Sequence, residues 1–254
     1  MTGTQVTWGL ASRSLRLIPR IPSTFIPSLV MPVFLTISFA GAFSGLVLLP
    51  GFPADKIIDW FVPMTIIQGA AFAGITTGMG AARDLQSGFF DRFLASPAPR
   101  SALVAGPLLA SVLRALIPIS LLLIVGIIGG AHFKDGLLGV AMLVVAALGI
   151  ALVAGGWAIG LALRLKSQQA APLMQTGVFI VVFLSTAQMP INLLTGWLHT
   201  VARFNPMTNV LALAREGFLG PVTWAGTWPG LVALAGMIAV SLLFAARGMQ
   251  KVTP

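Results

Sequence analysis

The sequence predicts an all-α integral membrane protein with six transmembrane helices. Of its 254 residues, 8% are charged and 57% are hydrophobic, and the mean hydropathy is +0.98. A soluble domain carries about 25% charged residues. The charged residues also stand between long uncharged runs, each close to or above the roughly 20 residues that a helix needs to cross a bilayer. Composition and spacing together exclude an ordinary soluble enzyme.

Six uncharged runs define the predicted spans. The spans are predicted at residues 25–49, 60–81, 107–129, 137–163, 173–189 and 229–246. No acidic residue falls inside these ranges, so we expect all six acids in loops. Arg114 is the one charge near a span interior, and we expect its side chain to reach the headgroups at the cytoplasmic end of the third helix.

The distribution of charge predicts the orientation. Short cytoplasmic loops retain Lys and Arg, and a cytoplasmic amino terminus places the whole net charge of +9 inside and leaves the outer side neutral. The protein is therefore expected to be a multi-pass protein of the cell membrane with both termini cytoplasmic. Because the cations are scattered between apolar runs, the expected partner is the lipid bilayer and not nucleic acid.

Residues 1–22 have the pattern of an amphipathic helix. Arg13, Arg16 and Arg20 fall within about 60° of one another on a helical wheel. We predict that they anchor an interfacial helix at lipid phosphates, with Pro19 and Pro22 ending it. The opposite face carries apolar residues, namely Trp8, Ala11, Leu15 and Ile18. The alternative is a disordered basic leader before the first span.

The second cytoplasmic segment, residues 83–101, is the richest in distinctive residues. Ser87 or Gly88 starts a predicted short helix that Pro97 stops. An apolar knob on this helix, flanked by Asp91 and Arg92, consists of Phe89, Phe90, Phe93 and Leu94. One interpretation is that the knob packs on the protein's own helix ends or dips into lipid. The other is that it docks into a groove on a cytoplasmic partner.

The outer segment, residues 190–225, is broken in two at Asn205 and Pro206. Each half is amphipathic and too short to span, so we predict a re-entrant helical pair that turns at these two residues. A hairpin lying on the membrane surface is the alternative. We expect its charged side chains to lie at headgroup level and to perform no chemistry; these are His199, Arg203, Arg215 and Glu216.

The residue inventory excludes several chemistries. The chain has no cysteine, no tyrosine and two distant histidines, so we predict no catalytic residues, no metal site and no cofactor in this chain. It has no GxxxxGK[ST] loop for nucleotide. With no acidic group in a predicted span, coupling to protons or sodium is disfavoured. If the protein is a pump, ATP hydrolysis must come from a separate polypeptide, and its cargo is expected to be lipophilic or amphiphilic.

Two motifs resemble a known family. The run DLQSGFFDRFLASPAPRSA, which begins at Asp84 and is followed by Gly106, resembles the cytoplasmic-loop signature of type 2 ABC exporter permeases, especially the daunorubicin-resistance type. Phe204-Asn205-Pro206-Met207-Thr208, with Arg215 and Gly220, is similar to the segment before the last span in that family. Family members often carry Glu where Asp84 stands, which leaves the charge intact.

The resemblance implies a function. The chain would be the membrane-spanning permease subunit of an ATP-driven exporter that moves a hydrophobic drug, lipid or glycolipid by alternating access. The helix at Gly88–Phe93 would couple it to a cytoplasmic ATP-binding subunit, which binds ATP and magnesium. We assign this coupling role to Asp84, Gly88, Phe89, Phe90, Asp91, Arg92, Phe93 and Leu94. A second permease chain, identical or different, would complete the pathway; the alternative function is a membrane scaffold or a lipid-modifying membrane enzyme.

Overall fold

The computed structural model describes residues 3–17, 22–94 and 99–250, and this part of the chain contains helices and no strand. The all-α prediction is therefore confirmed. The helices are α1 (Gly3–Arg16), α2 (Pro22–Ala42), α3 (Ile57–Gln86), α4 (Phe89–Leu94), α5 (Ala102–Ile128), α6 (Gly136–Leu165), α7 (Ala171–Phe183), α8 (Gly196–Phe204), α9 (Pro206–Leu219) and α10 (Trp224–Gln250). Short 3₁₀ turns lie at Ser44–Leu48, Gln168–Ala170 and Ile191–Leu193.

Four helices in the described ranges are long and apolar enough to cross a membrane: α3, α5, α6 and α10. They correspond to the second, third, fourth and sixth predicted spans. The first predicted span overlaps α2, in which Leu29–Ala42 is a shorter apolar stretch. The fifth overlaps α7, whose 13 residues extend about 20 Å at 1.5 Å per residue, less than the ~30 Å hydrocarbon layer. The count of six spans stays a prediction.

Helix α3 forms the centre of the bundle. It is buried along nearly all of its length and packs against α2, α5, α6, α7 and α9. Small residues allow its close approach to α6: a Cβ added to Gly78 would lie 2.3 Å from the Cβ of Ala158. Such contacts bring helix backbones together where hydrophobic exclusion supplies little driving force.

Helix α3 is longer than the second predicted span, and this corrects the expectation that every acid lies in a loop. Asp59 lies in its first turn, is 2% exposed, and accepts a hydrogen bond of 2.8 Å from the backbone N–H of His132. Asp84 lies in its last turn. The sequence pattern missed both turns because a charge at a helix end resembles a charge in a loop.

Candidate functional site

A bidentate ion pair joins the amino-terminal helix α1 to the predicted coupling segment, residues 83–101. The Arg13 guanidinium donates one hydrogen bond of 2.7 Å to each carboxylate oxygen of Asp84. Its Cζ also lies 4.2 Å from the centre of the Phe89 ring. The hydrogen bonds that Arg13 donates to Asp84 raise the pKa of Arg13 above its ordinary value, so the guanidinium stays charged. Arg13, predicted to contact lipid phosphate, is instead held by a protein carboxylate.

Gly88 makes the turn between α3 and α4. Its φ is +69°, in the left-handed region that favours glycine. Its N–H donates to the carbonyl of Leu85, and its own carbonyl accepts the N–H of Arg92, so one residue closes α3 and begins α4. The exposed Arg92 side chain folds back toward the carbonyls of Gly88 and Ser87. The predicted helix start is thus confirmed at this turn.

The apolar knob on α4 is divided between the protein's own core and its surface. Phe90 is 3% exposed and belongs to the hydrophobic core. Phe89 and Phe93 are partly buried against that core, with ring centres 6.3 Å apart. Self-packing therefore accounts for Phe90. The side chains of Asp91 and Leu94, and all of Arg20, lie outside what the structure describes; Arg16 is exposed on α1.

Helix α1 lies directly on α5. A Cβ added to Gly106 would come within 2.6 Å of the Cβ of Leu10, so only glycine permits this approach. Ala11 is fully buried, whereas Trp8, predicted on the same apolar face, is 59% exposed. Within residues 1–22, where we predict an interfacial helix, Gly3–Arg16 is helical, and part of the predicted lipid-facing stripe packs against protein.

Arg114 connects three helices from inside the bundle. One Nη atom donates to the Oγ1 of Thr76 on α3 at 2.9 Å, and the other donates to the carbonyl of Ser14 on α1 at 2.8 Å. The side chain is buried. The prediction that it reaches the headgroups is wrong, because the last turn of α1 covers it and supplies an acceptor.

These contacts make one mechanical unit on the predicted cytoplasmic side. Helix α4 continues from α3 through Gly88, α1 is held to α3 by Arg13 and Asp84, and α1 is held to α5 by Arg114. A neutral pair at the surface adds a further link, since Gln168 donates to Gln86 at 2.8 Å. Helix α4 is thus linked through these contacts to α1, α3 and α5. Within the described residues, no group of three His, Asp or Glu side chains is placed to hold a metal ion.

At the other end of the bundle, Asn205 caps two helices at once. Its Oδ1 accepts the N–H of Met207 at the start of α9, and its Nδ2 donates to the carbonyls of Val181 and Leu184 at the end of α7, at 2.7 and 3.0 Å. Pro206 occupies the first helical position, where no N–H is needed. The predicted break at these two residues is therefore present, and it also terminates α7.

Arg215 is the largest fully buried side chain in the described part of the chain. It donates to the backbone carbonyls of Trp60, Thr186 and Ala187 at 3.0, 2.7 and 2.7 Å. The prediction that it lies at headgroup level is wrong, because the unwound backbone after α7 offers carbonyls that need a donor. Its neighbour Glu216 accepts from Thr223 and Thr227 and so fastens α9 to α10.

Comparison with known proteins gives concordant matches. The family model described as ABC-2 type transporter matches residues 5–219. The chain is 28% identical over 240 residues to a daunorubicin resistance ABC transporter permease protein of Streptomyces coeruleorubidus, covering 90% of this chain and 80% of that protein. It is 26% identical over 201 residues to a probable doxorubicin resistance ABC transporter permease protein of Mycobacterium tuberculosis, covering 78% and 71% respectively.

Proposed function

The chain belongs to the ABC-2 type transporter family, and from this premise we propose that it exports a hydrophobic or amphiphilic compound by alternating access, driven by ATP hydrolysis on a separate subunit. Members of this family are permease subunits that act with an ATP-binding subunit. The partner binds ATP and magnesium. This chain supplies the membrane pathway and the surface through which the partner acts.

The contact between Arg13, Asp84 and Phe89 carries the proposal. Helix α4 is the docking element for the ATP-binding subunit, and its short length makes it depend on neighbours for a fixed position. The ion pair, the Gly88 turn and the buried Phe90 supply that position. When nucleotide binding moves the partner, α4 transmits the displacement to α3 and, through Arg13 and Arg114, to α1 and α5.

The membrane arrangement that we propose has six spans, with both termini cytoplasmic. Helices α3, α5, α6 and α10 cross the bilayer, α2 crosses with the 3₁₀ turn that follows it, and α7 completes its crossing with residues 184–189. Within residues 1–22, α1 is the interfacial helix, and α8 and α9 form the re-entrant pair within residues 190–225. The carbonyl partners of Arg215 and Asn205 support the pair, because non-helical backbone at membrane depth must be satisfied by protein.

The cargo class follows from the lining of the spans and from the relatives. The relatives are described as permeases for resistance to daunorubicin and doxorubicin, and a drug of this amphiphilic kind, or a lipid or glycolipid, is the cargo proposed here. Among the described residues, no cluster of three acidic or histidine side chains is placed to bind a hydrophilic ion. Two permease chains, identical or different, are proposed to form the pathway between them.

Transport in vesicles tests the proposal. The chain is reconstituted with its ATP-binding subunit, and export of fluorescent daunorubicin is measured together with ATP hydrolysis. We expect ATP-dependent export, and we expect Asp84→Asn to lower the amount exported per ATP several-fold, because one oxygen of the Arg13 pair becomes an amide donor.

Asp55→Asn is the matched control. Asp55 forms an ion pair of 2.7 Å with Lys134 at the opposite end of the bundle, where no partner subunit is proposed. Loss of this ion pair should therefore leave the amount exported per ATP unchanged. Export without ATP dependence overturns the proposed function. If Asp84→Asn and the unmodified chain export the same amount per ATP, the role assigned to the pair of Arg13 and Asp84 is overturned.

A further inference from the structure

A long apolar groove lies between α6, α7 and α10. Its volume is about 610 Å³, and the start of α9 closes one end. The lining is almost entirely apolar and includes Val153 and Trp157 of α6, Val178 of α7, and Met237, Val240 and Phe244 of α10. Ser241 is the one lining residue with a hydroxyl group. A hydrophilic ligand would find almost no hydrogen-bonding partner on these walls.

On both α6 and α10, the side of the helix that lines the groove carries an arginine one or two turns beyond the last lining residue. On α6, Arg164 follows Trp157 by two turns. On α10, Arg247 follows Phe244 by one turn. The Arg164 Cζ lies 3.7 Å from the centre of the Phe244 ring, and its Nη1 donates to the Phe244 carbonyl. Arg164 therefore lies against the Phe244 wall of the groove, and Arg247 lies one helical turn beyond that wall on the same side of α10.

These cations have no carboxylate partner within the described ranges. The two ion pairs found there are Arg13 with Asp84 and Lys134 with Asp55. Arg247 is exposed, and Lys166 lies just beyond Arg164, also exposed. An apolar groove with an uncompensated cationic mouth is complementary to a molecule that has an apolar chain and an anionic head.

The length of the groove matches one acyl chain. Its α10 wall extends from Val232 to Phe244, which is about 18 Å at 1.5 Å per residue. One leaflet of the hydrocarbon layer is about 15 Å thick. A chain that fills the groove would therefore end near the bilayer centre, with its headgroup beside the arginines.

We propose that the groove binds one acyl chain of an anionic phospholipid whose phosphate lies between Arg164 and Arg247. The orientation given under the proposed function places this lipid in the cytoplasmic leaflet, but the binding itself does not depend on that orientation. The bound chain fills the space between α7 and α10 and so completes the packing of a short helix that has few protein neighbours on this side.

Quenching of Trp157 fluorescence tests the proposal. The chain is reconstituted in phosphatidylcholine bilayers that contain increasing amounts of phosphatidylglycerol or phosphatidylcholine with brominated acyl chains. The signal of Trp157 is obtained by subtracting that of Trp157→Phe. An arginine near the surface attracts an anionic lipid by about 1 kcal/mol, or about five-fold. Because two arginines contribute here, we expect brominated phosphatidylglycerol to quench at a mole fraction lower by more than that factor.

Two charge variants identify the mouth of the groove. Arg247→Gln, at an exposed position that leaves folding intact, should lower the preference for phosphatidylglycerol about five-fold, and adding Arg164→Gln should abolish it. Arg203→Gln, which removes an exposed arginine of α8, should keep it. Equal quenching by both lipids, or a preference that survives in both groove variants, overturns the proposal.

A third outcome assigns the groove to cargo. If daunorubicin relieves quenching by both brominated lipids equally in the unmodified chain, the groove is a drug site and the lipid proposal is wrong. These measurements use neither ATP nor the partner subunit. Loss of transport with intact lipid preference would therefore overturn the proposed function alone.

Discussion

The Arg215 guanidinium lies over the ring of Trp60, with its Cζ 3.6 Å from the ring centre. The same arginine donates to the Trp60 carbonyl, so it contacts both the ring and the backbone of one residue on α3. A guanidinium is suited to this position because its planar fork reaches several acceptors while its face stacks on an aromatic ring. The contact fixes α9 to the beginning of the central helix.

Loss of this arginine should destabilise the protein strongly. Arg215→Gln leaves up to three buried carbonyls without a donor, and we expect a loss of about 3 kcal/mol in the free energy of unfolding. Arg215→Lys should recover part of it, since an ammonium group keeps the charge but not the fork. Thermal unfolding in detergent measures both. Arg203→Gln, at an exposed position on α8, is the control, and an equal effect there would contradict the assignment.

Gly106→Ala should release α1 from α5. The added methyl would lie 2.6 Å from the Cβ of Leu10, so α1 must move away. We expect faster hydrogen exchange of the amides of Gly3–Arg16. Gly9→Ala is the matched control, because nothing lies within 4 Å of its added methyl and alanine favours helix by about 1 kcal/mol. Gly9→Ala should therefore slow hydrogen exchange in α1. Unchanged exchange of the α1 amides in Gly106→Ala would contradict the close contact between α1 and α5.

Gly88→Ala should destabilise the turn before α4 for a conformational reason alone. Its added methyl meets nothing within 4 Å, but φ is +69°, and a left-handed residue other than glycine costs about 1 kcal/mol. Gly80→Ala, in the open interior of α3, should stabilise the helix by a similar amount. Thermal unfolding should therefore shift in opposite directions in the two variants. Shifts of the same sign would refute the conformational argument.

Gln68→Leu should raise the stability of α3. Both polar atoms of the Gln68 side chain are buried, and neither has a hydrogen-bond partner among the residues that the structure describes; such a group costs about 1–3 kcal/mol. Leucine fills a similar volume without that cost. In contrast, Thr65→Val one turn earlier should lower stability, because Thr36 donates to its hydroxyl at 2.7 Å. A lower unfolding temperature for Gln68→Leu would show that the amide has a partner.

Local signals in the sequence predicted much of this fold. Uncharged runs located α3, α5, α6 and α10, and the Asn205-Pro206 step located the break before α9, since each signal depends on residues close in the chain. The end of α7 was missed because an uncharged run does not show where helical carbonyls find another donor. In this protein that donor is Asn205, 21 residues beyond Leu184.

The parts of the candidate site that depend on residues close in the chain were also predicted. The Gly88 turn and the short helix α4 follow from local residue types. The partners of Arg13, Arg114 and Arg215 do not, because they depend on contacts 71, 100 and 155 residues away in sequence. A hydropathy pattern treats each of these arginines as a solvated charge, whereas the folded bundle gives each a specific acceptor.

Cross-linking from α4 tests the central claim most directly. The chain has no cysteine, so Arg92→Cys introduces a single thiol at an exposed position of α4, and Trp197→Cys introduces one at an exposed position of α8. Each variant is purified with the ATP-binding subunit and treated with a short thiol-to-amine cross-linker. We predict a nucleotide-sensitive cross-link to the ATP-binding subunit from position 92 and none from position 197; no cross-link from position 92, or a cross-link from position 197, would contradict the account.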